Sequence, residues 1–382
     1  MKLKEMLTMS PRKLWGKIYN RIEQQKYNNL YKNKYAYGLE LQIQNIFDYN
    51  EVIKERRAPY HEKYEGNLMY GIGAALREYS SYSGDIYCAI EHGTPTERID
   101  NEMEYKDNDM PVLLVHSEQR RKFLKDKTDK LMITFGPNFM PYAKPIYSEF
   151  AIQGIKKNLG KTLLIYPQHN NDTSEFENIN KNTSNLIEFA KEVKNKGKFD
   201  TVIVCLYYID IERGMHFAFE KEGWIITSAG NNKNHDFGNC FSTILRLADC
   251  VIAQSITGMS YASYLNIPAI FYQGNRKMVQ EDGVIFEDAW TINGKSWLEN
   301  TERDLLRLFS EYNEVTTEEQ REWSAYMWGA DEAKTPEEIK LILEFAKELK
   351  RSNCSVDRIK HIAQKKKYEP IRKYIEEALQ YK

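Results

Sequence analysis

ADCVIAQSITGMSYASYLNIPAIFY, residues 248–272, carries the fold in a single stretch. Cys250 to Ala253 reads as a short apolar strand, and Gln254 to Gly258 as a turn of small polar residues. Met259 to Leu265 reads as helix, and Pro268 to Tyr272 as a second apolar strand. Small hydroxyl residues and a glycine at the junction leave backbone N–H groups open at the helix start. That end carries partial positive charge, and its free donors suit a phosphate. The stretch predicts a nucleotide-binding domain, with Ser255, Thr257, Gly258 and Ser260 as phosphate candidates. The same residue types cap helices, so that plainer reading stands beside it.

The same rhythm extends upstream. Strands are predicted at 162–166, 200–206 and 224–227, with helices at 183–196, 209–222 and 239–248. Strands of about five residues separated by longer helices imply parallel pairing with right-handed crossovers. Ligands in such sheets bind at the carboxyl ends of the strands. That rule gathers His169, Ser228 to Gly230 and Ser255 to Ser260 onto one edge. Three further strands, at 85–90, 111–116 and 130–135, each end in a polar or glycine-bearing turn and form the first half of an α/β protein. A helix at 148–158 and the turn Leu159-Gly160-Lys161 mark the crossing between halves. Helical patches at 11–25 and 40–56 precede them, and helices at 335–351, 355–366 and 370–380 follow. The expected organisation is a first domain at 1–157, a nucleotide-binding domain at 158–330 and a helical segment at 331–382.

Composition bounds the function. The 382 residues are 42% hydrophobic and 29% charged, as in ordinary globular proteins. A net charge of −1 provides no general field for nucleic acid. Residues 1–36, however, set Lys2, Lys4, Arg12, Lys13, Lys17, Arg21, Lys26, Lys32 and Lys34 against Glu5 and Glu23. Such an arm suits peripheral contact with an anionic membrane and, equally, a solvated basic helix face. No apolar run approaches the ~20 residues of a membrane span, and the N-terminus lacks a secretory core. The five cysteines (Cys88, Cys205, Cys240, Cys250, Cys354) show no metal spacing. Those in apolar runs behave as small buried hydrophobes. A cytoplasmic protein, at the inner face of the membrane if the arm engages lipid, is the expectation.

Several polar residues at strand ends are candidates for chemistry. His92, in Glu91-His92-Gly93-Thr94, can act as a general base, or simply close a turn. Glu91 is placed either to orient it or to be the base itself. His169 and Asn170 lie in a dense polar cluster after the strand at 162–166, which turn formation also explains. Ser228, Gly230 and His235 are candidates for base or phosphate contact, and Asp236 for an N-cap. No Gly-x-Gly-x-x-Gly, Walker A or Gly-x-Ser-x-Gly motif occurs, which disfavours dinucleotide oxidoreductases, P-loop kinases and nucleophile-elbow hydrolases. Asp107-Asn108-Asp109 precedes a strand rather than following one, so it reads as a solvated acidic loop and not a metal site.

The runs at 199–210, Gly223-Trp224, Thr227-Ser228-Ala229-Gly230, Leu247-Ala248-Asp249 and Ser255-Ile256-Thr257-Gly258 resemble a group of bacterial proteins from capsule and lipopolysaccharide loci, regarded as glycosyltransferases. Glu91-His92-Gly93 and Gly136-Pro137-Asn138-Phe139 with Tyr142-Ala143 fit the same group. A broader resemblance is to teichoic-acid glycerophosphotransferases and capsule sialyltransferases. It implies two Rossmann-like domains facing a central cleft, the GT-B architecture, with additional N- and C-terminal helices. It implies His92 as base and Ser255, Thr257 and Gly258 at the donor phosphate. Asn170 and Asn231 depart from the closer group, which has Ser and His there. The implied activity is metal-independent transfer of a sugar from a nucleotide-sugar donor to a glycan or lipid-linked acceptor, with no separate cofactor. A polyol-phosphate transferase, a nucleotide-sugar epimerase and a non-catalytic nucleotide-sugar-binding subunit are the alternatives.

Overall fold

The computed structural model describes residues 43–56, 62–91, 102–106, 108–167, 176–254, 256–272, 299–350 and 355–382, with short strand pairs at 278–279, 285–286, 291–292 and 295–296. Two parallel sheets organise it. The first has β1 (Cys88–Ile90), β2 (Val112–Val115) and β3 (Leu131–Thr134) in chain order. The second has β4 (Thr162–Tyr166), β5 (Thr201–Cys205), β6 (Ile225–Thr227), β7 (Cys250–Ala253) and β8 (Ala269–Phe271), in the spatial order β6-β5-β4-β7-β8. Every pairing within both sheets is parallel. These strands are continuous apolar runs because helices cover both faces. Cys88, Cys205 and Cys250 are buried in them, and Cys240 in a neighbouring helix, all as free thiols.

Local chemistry explains the connections. Helix α1 (Glu149–Leu159) starts at Ser148, whose hydroxyl accepts from Ala151 N, and ends at Gly160. Helix α2 (Phe176–Gly197) crosses from β4 to β5. The expected helix at 209–222 is instead two short pieces, Tyr208–Glu212 and His216–Glu220, because Gly214 takes a φ of +77° between them. Helix α3 (Phe237–Arg246) leads into β7, and α4 (Ile256–Tyr264) joins β7 to β8. Within 43–56 the expected helix is a single turn, Tyr49–Val52. Here the backbone bonds to neighbours instead: Ile46 N donates to the Tyr147 hydroxyl (2.7 Å) and Ile46 O accepts from Thr227 Oγ1 (2.6 Å).

The C-terminal helices return to the first sheet. Helix α5 (Glu318–Trp328) has a capping box at Thr317 and ends at Gly329, φ +66°. It packs on α4 and on the short helix Glu118–Leu124 that follows β2. Helices α6 (Pro336–Lys350) and α7 (Arg372–Leu379) pack on Ile72–Ser80 and β3 respectively. One buried apolar cluster joins Ile90 and Leu114 of the first sheet, Leu164 and Val251 of the second, and Phe345 of α6. Among the described residues no helix is long and apolar enough to cross a membrane.

Candidate functional site

The order of the second sheet locates the site. The chain steps outward from β4 to β5 to β6, then crosses to the other side of β4 for β7 and β8. Connections leave β4 and β7 in opposite directions, which makes their carboxyl ends the topological switch point where ligands bind in such sheets. Tyr166 pairs with Ala253 there, and Gln254 N donates to Tyr166 O at 3.0 Å. The segment 248–272 thus brings its strand-to-helix turn to this crevice.

The helix begins at Ile256 rather than at the expected Met259, so Thr257, half-buried, and Gly258, buried, lie in its first turn. Ser260 is fully buried and donates its hydroxyl to Thr257 O at 2.9 Å, inside its own helix. Ser255, His169, Asn170 and His92 lie outside the described residues.

The loop after β6 contacts Val52, Lys54 and Arg56. Ser228 is buried and accepts from Gly230 N at 3.0 Å, closing a tight turn. Gly230 has φ +102°, and a Cβ there would meet Val52 O and Asn234 Nδ2, each at 2.9 Å. Asn234 accepts from Arg56 N at 2.6 Å and donates to Lys54 O at 3.0 Å. His235 brings both its backbone N (3.0 Å) and Nδ1 (2.8 Å) to Arg56 O. Asp236 occupies the N-cap position of α3, but its carboxylate takes the Arg56 guanidinium at 2.8 Å and 3.2 Å instead of capping the helix. Ser228, Gly230 and His235, read from sequence as ligand contacts, make these contacts within the chain.

Glu91, at the end of β1, is buried and has both oxygens engaged. Oε2 faces His116 Nδ1 at 2.8 Å and accepts from His116 N at 3.2 Å. Oε1 accepts from Arg120 Nε. Burial pushes this carboxyl's pKa up, but Arg120 and His116 outweigh it and hold the group below the ordinary carboxylate range. Both oxygens of Glu91 are thus occupied by His116 and Arg120. Sequence reading missed His116 and Arg120; the available signal was a histidine closing one strand beside a strand that ends in Glu. The ends of β2 and β3 are covered by the 327–334 segment. Ser117 Oγ donates to Met327 O (3.0 Å), and Thr134 Oγ1 to Glu332 Oε2 (2.8 Å). Asp109 of the acidic loop pairs with Lys350.

An aromatic cluster closes the gap between the first sheet's turn and the switch point. Phe139, just past β3, lies 5.0 Å from Tyr261 of α4 and 6.0 Å from Phe241 of α3, between ring centroids. Phe241 stacks on Tyr166 at 4.6 Å and meets Tyr261 edge-on at 5.2 Å. Gly238 admits this approach, since a Cβ there would meet Phe139 Cδ2 at 3.0 Å.

No family model and no curated protein sequence matches the chain. Among solved structures it is similar to the wall teichoic acid polymerase TagF, at 12% identity and TM-score 0.39 over 71% of this chain and 70% of that one. A histidine-to-alanine variant of that polymerase gives 11% identity and TM-score 0.37, over 71% and 69% of the two chains. A histidine-to-asparagine variant soaked with CDPG gives 13% identity and TM-score 0.30, over 76% and 66%.

Proposed function

We propose that this chain is a glycosyltransferase that moves a sugar from a nucleotide-activated donor to a hydroxyl of a cell-surface glycan. The observation that carries the reading is the switch point between β4 and β7, where helix α4 begins at Ile256, close after β7. A phosphate at that helix start meets the N–H groups and the positive end of the helix. The acceptor oxygen bonds to the anomeric carbon as the bond from that carbon to the donor phosphate breaks. The acceptor proton passes to a base, and the nucleotide leaves with the bonding electrons. Helix donors preorganised at the departing phosphate stabilise its growing charge without any metal. His92 is the base in this reading, because both oxygens of Glu91 are already engaged by His116 and Arg120. The membrane arm and a lipid-linked acceptor belong to the same proposal.

The test is a transfer assay paired with nucleotide binding on His92→Ala. The substitution is expected to leave nucleotide affinity unchanged while transfer falls by orders of magnitude. Undiminished transfer would remove His92 as base. Transfer from CDP-glycerol but from no nucleotide sugar would replace the glycosyl reading with polyol-phosphate transfer.

A further inference from the structure

Phe150 is the most exposed large apolar side chain among the described residues, at 89%. It sits in the first turn of α1, where Gly154 and Lys157 follow it on the same helix face. A Cβ at Gly154 would meet nothing within 4 Å, and Lys157 is exposed, so no part of the described chain stands over that face. Phe217, in the short helix His216–Glu220, is 58% exposed.

The segment 44–49 runs from one phenylalanine to the other. Through its hydroxyl, Tyr147, at the start of α1, accepts from Ile46 N at 2.7 Å and donates to Gln44 O at 3.3 Å. Tyr49 donates to Glu220 Oε1 at 3.1 Å and its ring lies 5.1 Å from that of His216, which lies 4.1 Å from that of Phe217. The basic residues 1–36 are therefore tethered beside Phe150, because residues 37–43 span at most ~25 Å even when fully extended.

These placements select the partner. Residues 1–36 carry nine Lys or Arg against two Glu. Lys144 and Lys157 add exposed positive charge near Phe150, with Glu149 beside it. A second copy of the chain on this face would set two such arms against each other, like charge to like. An anionic lipid surface suits both features at once: headgroups attract the arm, and phenylalanine rings enter the boundary between headgroups and acyl chains. Neither feature suffices alone. A small apolar insertion holds a membrane weakly and reversibly, and stable attachment takes a second signal such as a polybasic segment.

We propose that Phe150 and Phe217 are the apolar contacts of a surface through which this chain sits on anionic lipid. This rests on the membrane contact proposed above, and its test separates the surface from the arm. Cosedimentation of the full chain is measured with phosphatidylcholine vesicles containing phosphatidylserine. The double substitution Phe150→Ser, Phe217→Ser lowers the partition coefficient about tenfold or more. Phe150→Trp, Phe217→Trp keeps it, because Trp also seats at the membrane interface. Both variants retain the melting temperature of the free protein, as expected for exposed side chains. A partition coefficient unchanged in the serine variant, or lost equally in the tryptophan variant, overturns the surface. If deleting residues 1–36 weakens binding and the serine variant does not, the arm stands and the surface falls. In the reverse case the surface stands without the arm. A full chain that pellets with no vesicles overturns both. Sedimentation velocity without lipid addresses the other occupant: a dimer that the serine variant abolishes gives this face to a second copy and overturns the lipid assignment.

Discussion

Glu91 shows how a residue's neighbours revise what its place in the sequence suggests. Next to His92 it reads as a partner or a base, but its oxygens are taken by His116 and Arg120. The consequence is a stability effect with a definite sign. Its pKa falls from the ordinary 4.5 to about 2 in the fold, so its contribution is full above the unfolded value and is lost as pH falls through the window between the two. Glu91→Gln should therefore flatten the acid limb of stability between those pH values and cost about 3–5 kcal/mol at neutral pH, as expected for one member of a buried ion pair. Urea titrations across pH measure both; an unchanged acid limb would show that the pair contributes nothing. The phosphate candidates were visible because hydroxyl residues and a glycine stand together between a strand and a helix.

The elements themselves were more legible. The eight strands of the two parallel sheets were each anticipated within a few residues, since short apolar runs bounded by polar turns leave little choice. The helices Ile72–Ser80, Glu299–Phe309 and Glu318–Trp328 were not anticipated, and two expected helices differ for physical reasons. Gly214 breaks the helix expected at 209–222, and residues 43–56 give up helical bonds for contacts to Tyr147, Thr227 and Asn234. The docking of α5 is set by backbone rather than side-chain pattern. Gly329 at its C-terminus has φ +66°, and a Cβ there would fall 2.0 Å from His116 O. Gly329→Ala should cost about 2 kcal/mol or more, from left-handed strain plus the clash. Chemical denaturation checks this, and a loss below ~0.5 kcal/mol would mean that α5 docks without that close approach.

For the whole molecule, the alternation of strand and helix implied parallel pairing, and both sheets have it. The return of the C-terminal helices to the first sheet was not legible, because amphipathic spacing in α6 names a buried face without naming its partner. The basic residues at 1–36 belong to this scale too. Deleting them should lower the fraction that pellets with anionic liposomes, with the loss fading at high salt. An equal bound fraction would assign the arm to ordinary scaffold. The central claim is that the switch point between β4 and β7 holds a nucleotide, and a thermal-shift screen against UDP, GDP, CDP and CMP tests it most directly. The account predicts that one nucleotide raises the melting temperature selectively and in a concentration-dependent way. A melting temperature unmoved by all four would contradict it.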